Sequence, residues 1–329
     1  MTSQTNQVQP GFSSDSEPKV VPACASSSYV SRSSPMVKQP NCKKSSNRRS
    51  ADDESLLRMK VNSDELGPGA SSGHPSPCVA LAKSLNPMPS RLPVSSPPSA
   101  EQLAELARQS QALETAQPWE ILQWTAENFA DGFAVATAFG AEGMLIIHWL
   151  SQVARQTPIF NLDTGYQFDE TLQMVGRIEE RYGLRVELVR PELDVQQYEQ
   201  LHKGPVYAHN PDQCCGDRKM VPLKKRLTGV TAWASAIRRD QSPDRAKAPI
   251  VGWDRKFGLV KVSPLANWNK SQVWQTIIAE KVPYNPLHDQ GYPSVGCKPC
   301  TRCVLAGDDE RAGRWAGAKK TECGLHTWS

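Results

Sequence analysis

Hydrophobic and polar positions follow two periods along residues 98–329 and neither period clearly before them. Ser99 stands ahead of Leu103, Leu106, Ala107 and Leu113, which share a helical face, so an opening helix with a serine N-cap is predicted. A second helix is predicted from Pro118, a favoured first-turn residue, through Ile121, Leu122 and Trp124. The period then changes. Phe133 to Phe139 is a short apolar run closed by Gly140, and Met144-Leu145-Ile146-Ile147 resumes helical register, which reads as strand, tight turn, helix. The unit recurs at Pro158-Ile159-Phe160-Asn161-Leu162, with a polar turn and a helix through Leu172, Val175 and Ile178. Further strands are predicted at Leu184 to Val189 and Val230 to Ala234. Strands alternating with helices imply an α/β fold, a parallel sheet with helices on both faces. Ligands of such sheets bind beyond the carboxyl ends of the strands.

Composition separates a leader from this domain. Residues 1–100 hold 23 serines and 13 of the 26 prolines, but only two aromatics, Phe12 and Tyr29. Such a stretch buries too little apolar surface to offset chain entropy, so residues 1–97 are expected to be disordered. The basic cluster Lys43 to Arg49 meets Asp52, Asp53 and Glu54 at once, which weakens an import or nucleic-acid reading. A transit peptide, a dispensable extension and an early start codon all suit the same composition. The leader carries 11 Lys+Arg against 7 Asp+Glu and supplies the whole +4, so the domain is neutral and no nucleic-acid partner is expected. No apolar run approaches the roughly 20 residues of a membrane span, so no membrane partner is expected and a cytoplasmic location is.

Candidate chemistry falls after the strands. Phe139-Gly140-Ala141-Glu142 opens a helix, whose backbone N–H groups suit an anion, although any tight strand-to-helix turn needs small residues. Asp163-Thr164-Gly165 follows the second strand and fits either a substrate contact or a helix cap. Arg238 and Arg239 pair guanidiniums suited to phosphate or sulfate oxygens. The strongest signal is Cys214-Cys215 with Cys297 and Cys300, a thiolate set that suits zinc or an iron–sulfur cluster. Cys303 makes an additional C-x-x-C step and is expected to be a spare thiol, turned aside by a helix carrying Cys300. Cys323 stands apart near the end of the chain.

These segments together resemble the phosphoadenylyl/adenylyl sulfate reductase family, in its iron–sulfur branch. The motifs are LDTGYQFDET at 162–171, CCGDRK at 214–219, IRRDQS at 237–242 and VPYNPLH at 282–288. GYPSVGCKPCTR at 291–302, ERAGRW at 310–315 and ECGLH at 322–326 follow in family order, and the resemblance covers nearly all of 115–326. It implies an adenine-nucleotide-hydrolase-like, Rossmann-like domain at 98–329 with a mobile catalytic segment at about 316–329. It also implies thioredoxin-dependent reduction of adenylyl sulfate to sulfite and AMP in the assimilation of sulfate.

By the same resemblance Cys323 is the nucleophile and becomes an S-sulfocysteine, with Lys219, Arg311, Arg314 and His326 supplying positive charge. Cys214, Cys215, Cys297 and Cys300 hold one [4Fe–4S] cluster, with Lys219 between cluster and substrate. Phe139, Gly140, Ala141, Glu142, Asp163, Thr164, Gly165, Arg238 and Arg239 are then expected to bind substrate. No thioredoxin-like domain follows His326, so a separate thioredoxin or glutaredoxin-like reductant is expected. Ala138 stands where the family usually has Ser, Gly143 where an acid is common, and Ser235-Ala236 where Thr-Gly is usual. The 3′-phosphorylated nucleotide is the alternative substrate. A nucleotide-activating enzyme of the same fold leaves the cysteines unexplained, and a zinc-stabilised nucleotide-binding module is the non-enzymatic alternative.

Overall fold

The computed structural model describes residues 97–305, 307–317, 320, 322, 324 and 325. The predicted leader, apart from Pro97, and both Cys323 and His326 lie outside the described residues. Helix α1 (Ala100–Ala112) starts as predicted: Ser99 Oγ accepts from the Gln102 N–H and the Gln102 side chain returns to the Ser99 N–H, a capping box. Helix α2 (Pro118–Phe129) has its proline in the first turn and buries Ile121, Leu122, Trp124 and Phe129. The chain then enters β1 (Phe133–Thr137), α3 (Ala141–Val153) and β2 (Ile159–Leu162). Helices α4 (Asp169–Leu172) and α5 (Met174–Tyr182) lead to β3 (Val186–Val189). Helices α6 (Val195–Leu201), α7 (Val206–His209), α8 (Pro211–Cys215) and α9 (Val221–Arg226) precede β4 (Ala232–Ser235). A hairpin, β5 (Val251–Asp254) and β6 (Leu259–Val262), and helix α10 (Lys270–Ala279) follow.

The sheet order is β3-β2-β1-β4-β6-β5. The first five strands of that order run parallel, and β5 joins β6 antiparallel at the edge. The predicted parallel α/β sheet is therefore present with one addition, the hairpin. Its two strands are four residues each and interrupted by Gly252 and Lys261, too short and too polar to stand out as apolar runs. Both faces are covered. Phe133, Val135, Ile159, Ala232, Ala234, Val260 and Val262 enter one core with α2, α3, α5 and α10. The alternate residues Ala134, Phe160, Trp233 and Leu259 pack on the other face with Leu223 and Leu227.

One consequence locates the site. Strands β2 and β4 flank β1, so the chain winds outward in opposite directions from the β1–β4 pair, and a crevice opens at their carboxyl ends.

Candidate active site

The cysteines converge. Asn210 caps α8 by accepting from the Gln213 N–H, and Pro211 occupies the first turn. The helix passes after Cys215 into a wider π turn over Gly216–Met220, a form common at functional positions. Arg218, inside that turn, is buried, donates from Nε to Thr164 O at 2.7 Å, and lies against the Tyr166 and Tyr198 rings. Tyr198 Oη in turn donates to Asp217 Oδ2 at 2.7 Å. The opposite wall is a short 3-10 turn, Lys298–Cys300, tied down by the Lys298 N–H on Tyr166 O at 2.7 Å. Cys214, Cys215, Cys297 and Cys300 thus line one pocket with Thr164, Lys219 and Arg314.

Burial pushes the Cys214 thiol up to about 12 and the Cys300 thiol to about 11, and neighbouring thiolates add to both. Burial acts the same way on Cys297, but Lys219, the Thr164 hydroxyl 3.3 Å away and Arg314 outweigh it and bring that thiol below the ordinary range. Among the described residues no group of three or more His, Cys, Asp or Glu side chains closes on a single metal ion. The donor set itself, four thiols and no nitrogen or carboxylate ligand, fits a thiolate-held centre such as an iron–sulfur cluster.

The switch-point crevice adjoins this pocket, and Lys219 lines both. Gly140 and Gly143 from the β1 turn, Ala236 beyond β4, and the segment Pro293 to Gly296 form its walls. Phe139 holds a left-handed φ of 55°, and its N–H donates to Thr137 Oγ1 at 3.0 Å. A Cβ on Gly143 would stand 2.7 Å from that same hydroxyl oxygen, so glycine lets the helix start pack against Thr137. Arg314 lies 4.5 Å over the Trp315 ring and donates from Nη1 to Ser294 Oγ at 3.3 Å. Its buried Nε has no hydrogen-bond partner among the described residues. His288 Nδ1 stands 2.8 Å from Tyr292 O and must donate there, and burial holds this imidazole below its ordinary pKa and neutral. Its Nε2 is a buried acceptor with no described partner.

Positive charge gathers at the mouth. Arg245 grips Glu322 with both arms, Nε to Oε1 at 2.8 Å and Nη2 to Oε2 at 3.0 Å, and Arg311 Nη2 reaches Oε2 at 3.2 Å. Burial would raise the Glu322 carboxyl, but these guanidiniums outweigh it and hold it below the usual carboxylate range.

Of the expected site residues, Gly140, Glu142, Lys219, Arg311 and Arg314 line the crevice. Others are placed differently. The Phe139 and Ala141 side chains are in the core. Asp163 bonds the Gly165 N–H at 3.0 Å and Arg190 Nε at 2.9 Å, so it shapes its own turn. Thr164 belongs to the cysteine pocket, and a Cβ on Gly165 would press Val195 and Arg218. Arg238 is enclosed by Glu142, Asp240 and Glu310. Arg239 is turned away altogether, with Nη1 on Glu114 Oε2 at 2.7 Å and Nε on Ala248 O. The paired guanidiniums expected for phosphate or sulfate are thus both engaged by protein acids. Cys303 follows the Lys298–Cys300 turn on non-helical chain, buried beside Phe168, Leu287 and Tyr292, and it is disulfide-bonded and not a spare thiol. Arg245 and His288 are crevice residues that sequence reasoning assigned no role. Arg245 reads as one of many surface charges because its partner Glu322 is distant in the chain.

Comparison with known proteins gives a consistent picture. Residues 132–303 match the phosphoadenosine phosphosulfate reductase domain family. The chain is 43% identical over 218 residues to an adenosine 5′-phosphosulfate reductase of Halalkalibacterium halodurans, covering 66% of this chain and 94% of that protein. It is 44% identical over 208 residues to adenosine 5′-phosphosulfate reductase 2 of Bacillus subtilis, covering 63% and 88%. A crystal structure of phosphoadenylyl-sulfate reductase from Candida auris, a phosphate complex, superposes with a TM-score of 0.55 at 26% identity, covering 62% of this chain and 98% of that one.

Proposed function

Since the chain belongs to the phosphoadenosine phosphosulfate reductase family, we propose that it reduces adenosine 5′-phosphosulfate to sulfite and AMP in the assimilation of sulfate, with Cys323 as nucleophile. The observation that carries this reading is the convergence of Lys219, Arg311 and Arg314 on one crevice at the β1–β4 switch point, against the four-thiol pocket. Cations gathered there suit a substrate with adjoining phosphate and sulfate groups. The names of the relatives at 43% and 44% identity favour the nucleotide without a 3′-phosphate.

The Cys323 thiolate attacks the sulfate sulfur, the bond from that sulfur to the bridging phosphate oxygen breaks, and AMP leaves with the electron pair. Arg314 Nε and the Arg311 guanidinium meet the negative charge that builds on the sulfonyl and phosphate oxygens. A dithiol protein of the thioredoxin or glutaredoxin class then attacks Cys323 Sγ and expels sulfite. Its second thiol resolves the mixed disulfide, so two thiols are oxidised and sulfur(VI) becomes sulfur(IV). Cys214, Cys215, Cys297 and Cys300 would hold a [4Fe–4S] cluster, which would supply a charged group to the pocket that Lys219 also lines. No helix among the described residues is long and apolar enough to cross a membrane, and a cytoplasmic site of action is part of the proposal.

The test is direct. Protein purified without oxygen should be brown, contain about four irons per chain as that cluster type requires, and release sulfite from adenosine 5′-phosphosulfate when given thioredoxin. Cys214→Ser should lose iron and activity together, and Cys323→Ser should keep iron and lose sulfite release. Colourless, zinc-containing protein of full activity would sink the cluster assignment. Faster turnover of the 3′-phosphorylated nucleotide in direct competition would overturn the substrate choice.

A further inference from the structure

Lys261 is an unusual strand residue. It sits in β6, a strand buried along its whole length, and its side chain is 1% exposed. Its ammonium lies 5.0 Å over the Trp233 ring and 4.0 Å from Asp254 Oδ2. A lysine confined this way needs a compelling partner, because burying a charge without full hydrogen bonding is costly. One partner comes from the far end of the chain: Lys261 Nζ donates to Leu325 O at 2.9 Å. On the same hairpin, Lys256 Nζ donates to Gly324 O at 2.9 Å. The Leu325 side chain packs on the apolar cluster that includes Trp233. Upstream, Arg245 and Arg311 hold the Glu322 carboxylate. The described residues on both sides of Cys323 are therefore fastened, those before it by the crevice arginines and those after it by the β5–β6 hairpin.

We propose that Lys261, with Lys256 beside it, is a positioning residue for the reaction, holding the carbonyls of Gly324 and Leu325, the two residues that follow the proposed nucleophile in the chain. This rests on the assignment of Cys323 as nucleophile. The geometry points to backbone carbonyls as the ligands, which an apolar side chain at 261 would leave without this donor. A strand-end hairpin is a rigid support, and small displacements of a nucleophile cost large factors in rate. The contacts are with the protein's own tail and not with the nucleotide, so the effect belongs to the chemical step and not to substrate binding.

A single-turnover experiment on the full-length, cluster-loaded protein tests this. Protein is mixed with adenosine 5′-phosphosulfate without reductant, and formation of the sulfonate adduct on the Cys323 peptide is timed by mass spectrometry. Lys256→Ala changes an exposed end of the hairpin and spares the core. Lys261→Met is paired with Asp254→Asn so that no buried carboxylate is left without its cation. The maximal rate should fall about tenfold or more in the paired variant, the loss of a charged hydrogen bond, and severalfold in Lys256→Ala. The substrate concentration giving half that rate should stay within about twofold, and AMP affinity should be unchanged, where general loosening of the fold would move both. Wild-type rates in both variants would overturn the inference alone. Absence of any adduct on Cys323 in the wild-type protein would overturn the nucleophile assignment and the inference with it.

Discussion

At the scale of single residues, the crevice is shaped as much by what is missing as by what is present. A Cβ on Gly296 would stand 2.3 Å from Arg314 Nη2 and 2.6 Å from its Cζ. The obstacle is the far end of a flexible side chain, so Gly296→Ala should fold normally and displace the guanidinium. We expect its melting temperature to stay near wild type while kcat/KM for sulfite release falls roughly ten- to hundredfold. Unchanged kcat/KM would mean that the Arg314 position does not matter to the reaction. Glu322 yields a pH prediction. Its carboxyl is held below the ordinary glutamate pKa by Arg245, Arg311 and Arg314, so the tail anchorage is complete above that ordinary value and is lost as pH falls through the depressed folded value. Hydrogen exchange of the peptide containing Glu322, corrected for intrinsic rates, should therefore stay protected down to about pH 4.5 and lose protection below it. Glu322→Gln should be unprotected throughout. A wild-type profile that loses protection near neutrality would contradict the assignment.

Elements matter here through their ends. Helix α8 delivers two adjacent cysteines because Asn210 and Pro211 start it and the π turn over Gly216–Met220 widens it. Adjacent residues on an ordinary helix point about 100° apart, so the delivery depends on what holds this short element in place. Arg218 does so, bonded to Thr164 O and Leu193 O and stacked between two tyrosines. Arg218→Met should leave the sheet intact and loosen the pocket: iron should be lost to a chelator severalfold faster than from the wild type, measured by the visible spectrum. Equal rates of loss would show that α8 is held by its neighbours without Arg218. The β5–β6 hairpin is the other decisive element, because it closes the edge of the sheet and carries both lysines that meet the tail.

For the whole molecule the division between leader and domain is the first question. The domain from α1 to Leu325 has its own two-sided core. We therefore propose the boundary read from composition, with residues 1–97 outside the catalytic unit. A protein beginning at residue 98 should keep its iron and nearly full turnover, and should lose the net charge of +4 that the leader supplies. A large loss of turnover on this truncation would show that the leader contributes to the domain.

Much of this molecule is legible from sequence alone, for local reasons. Short apolar runs and period-3.6 patterns are written in consecutive residues, so the capped α1, the proline-led α2 and strands β1 to β4 could be read directly. Paired cysteines in two motifs identified the thiolate set, because ligand chemistry resides in residue type and spacing. What tertiary structure decided depends on partners far apart in the chain. Arg238 and Arg239 read as anion binders until Glu142, Glu310 and Glu114 are seen to neutralise them. Arg245 takes its role from Glu322, and Lys261 from Leu325 O, partners that no local pattern names. A charged side chain takes its role from the group that compensates it, and long-range packing alone brings that group into place.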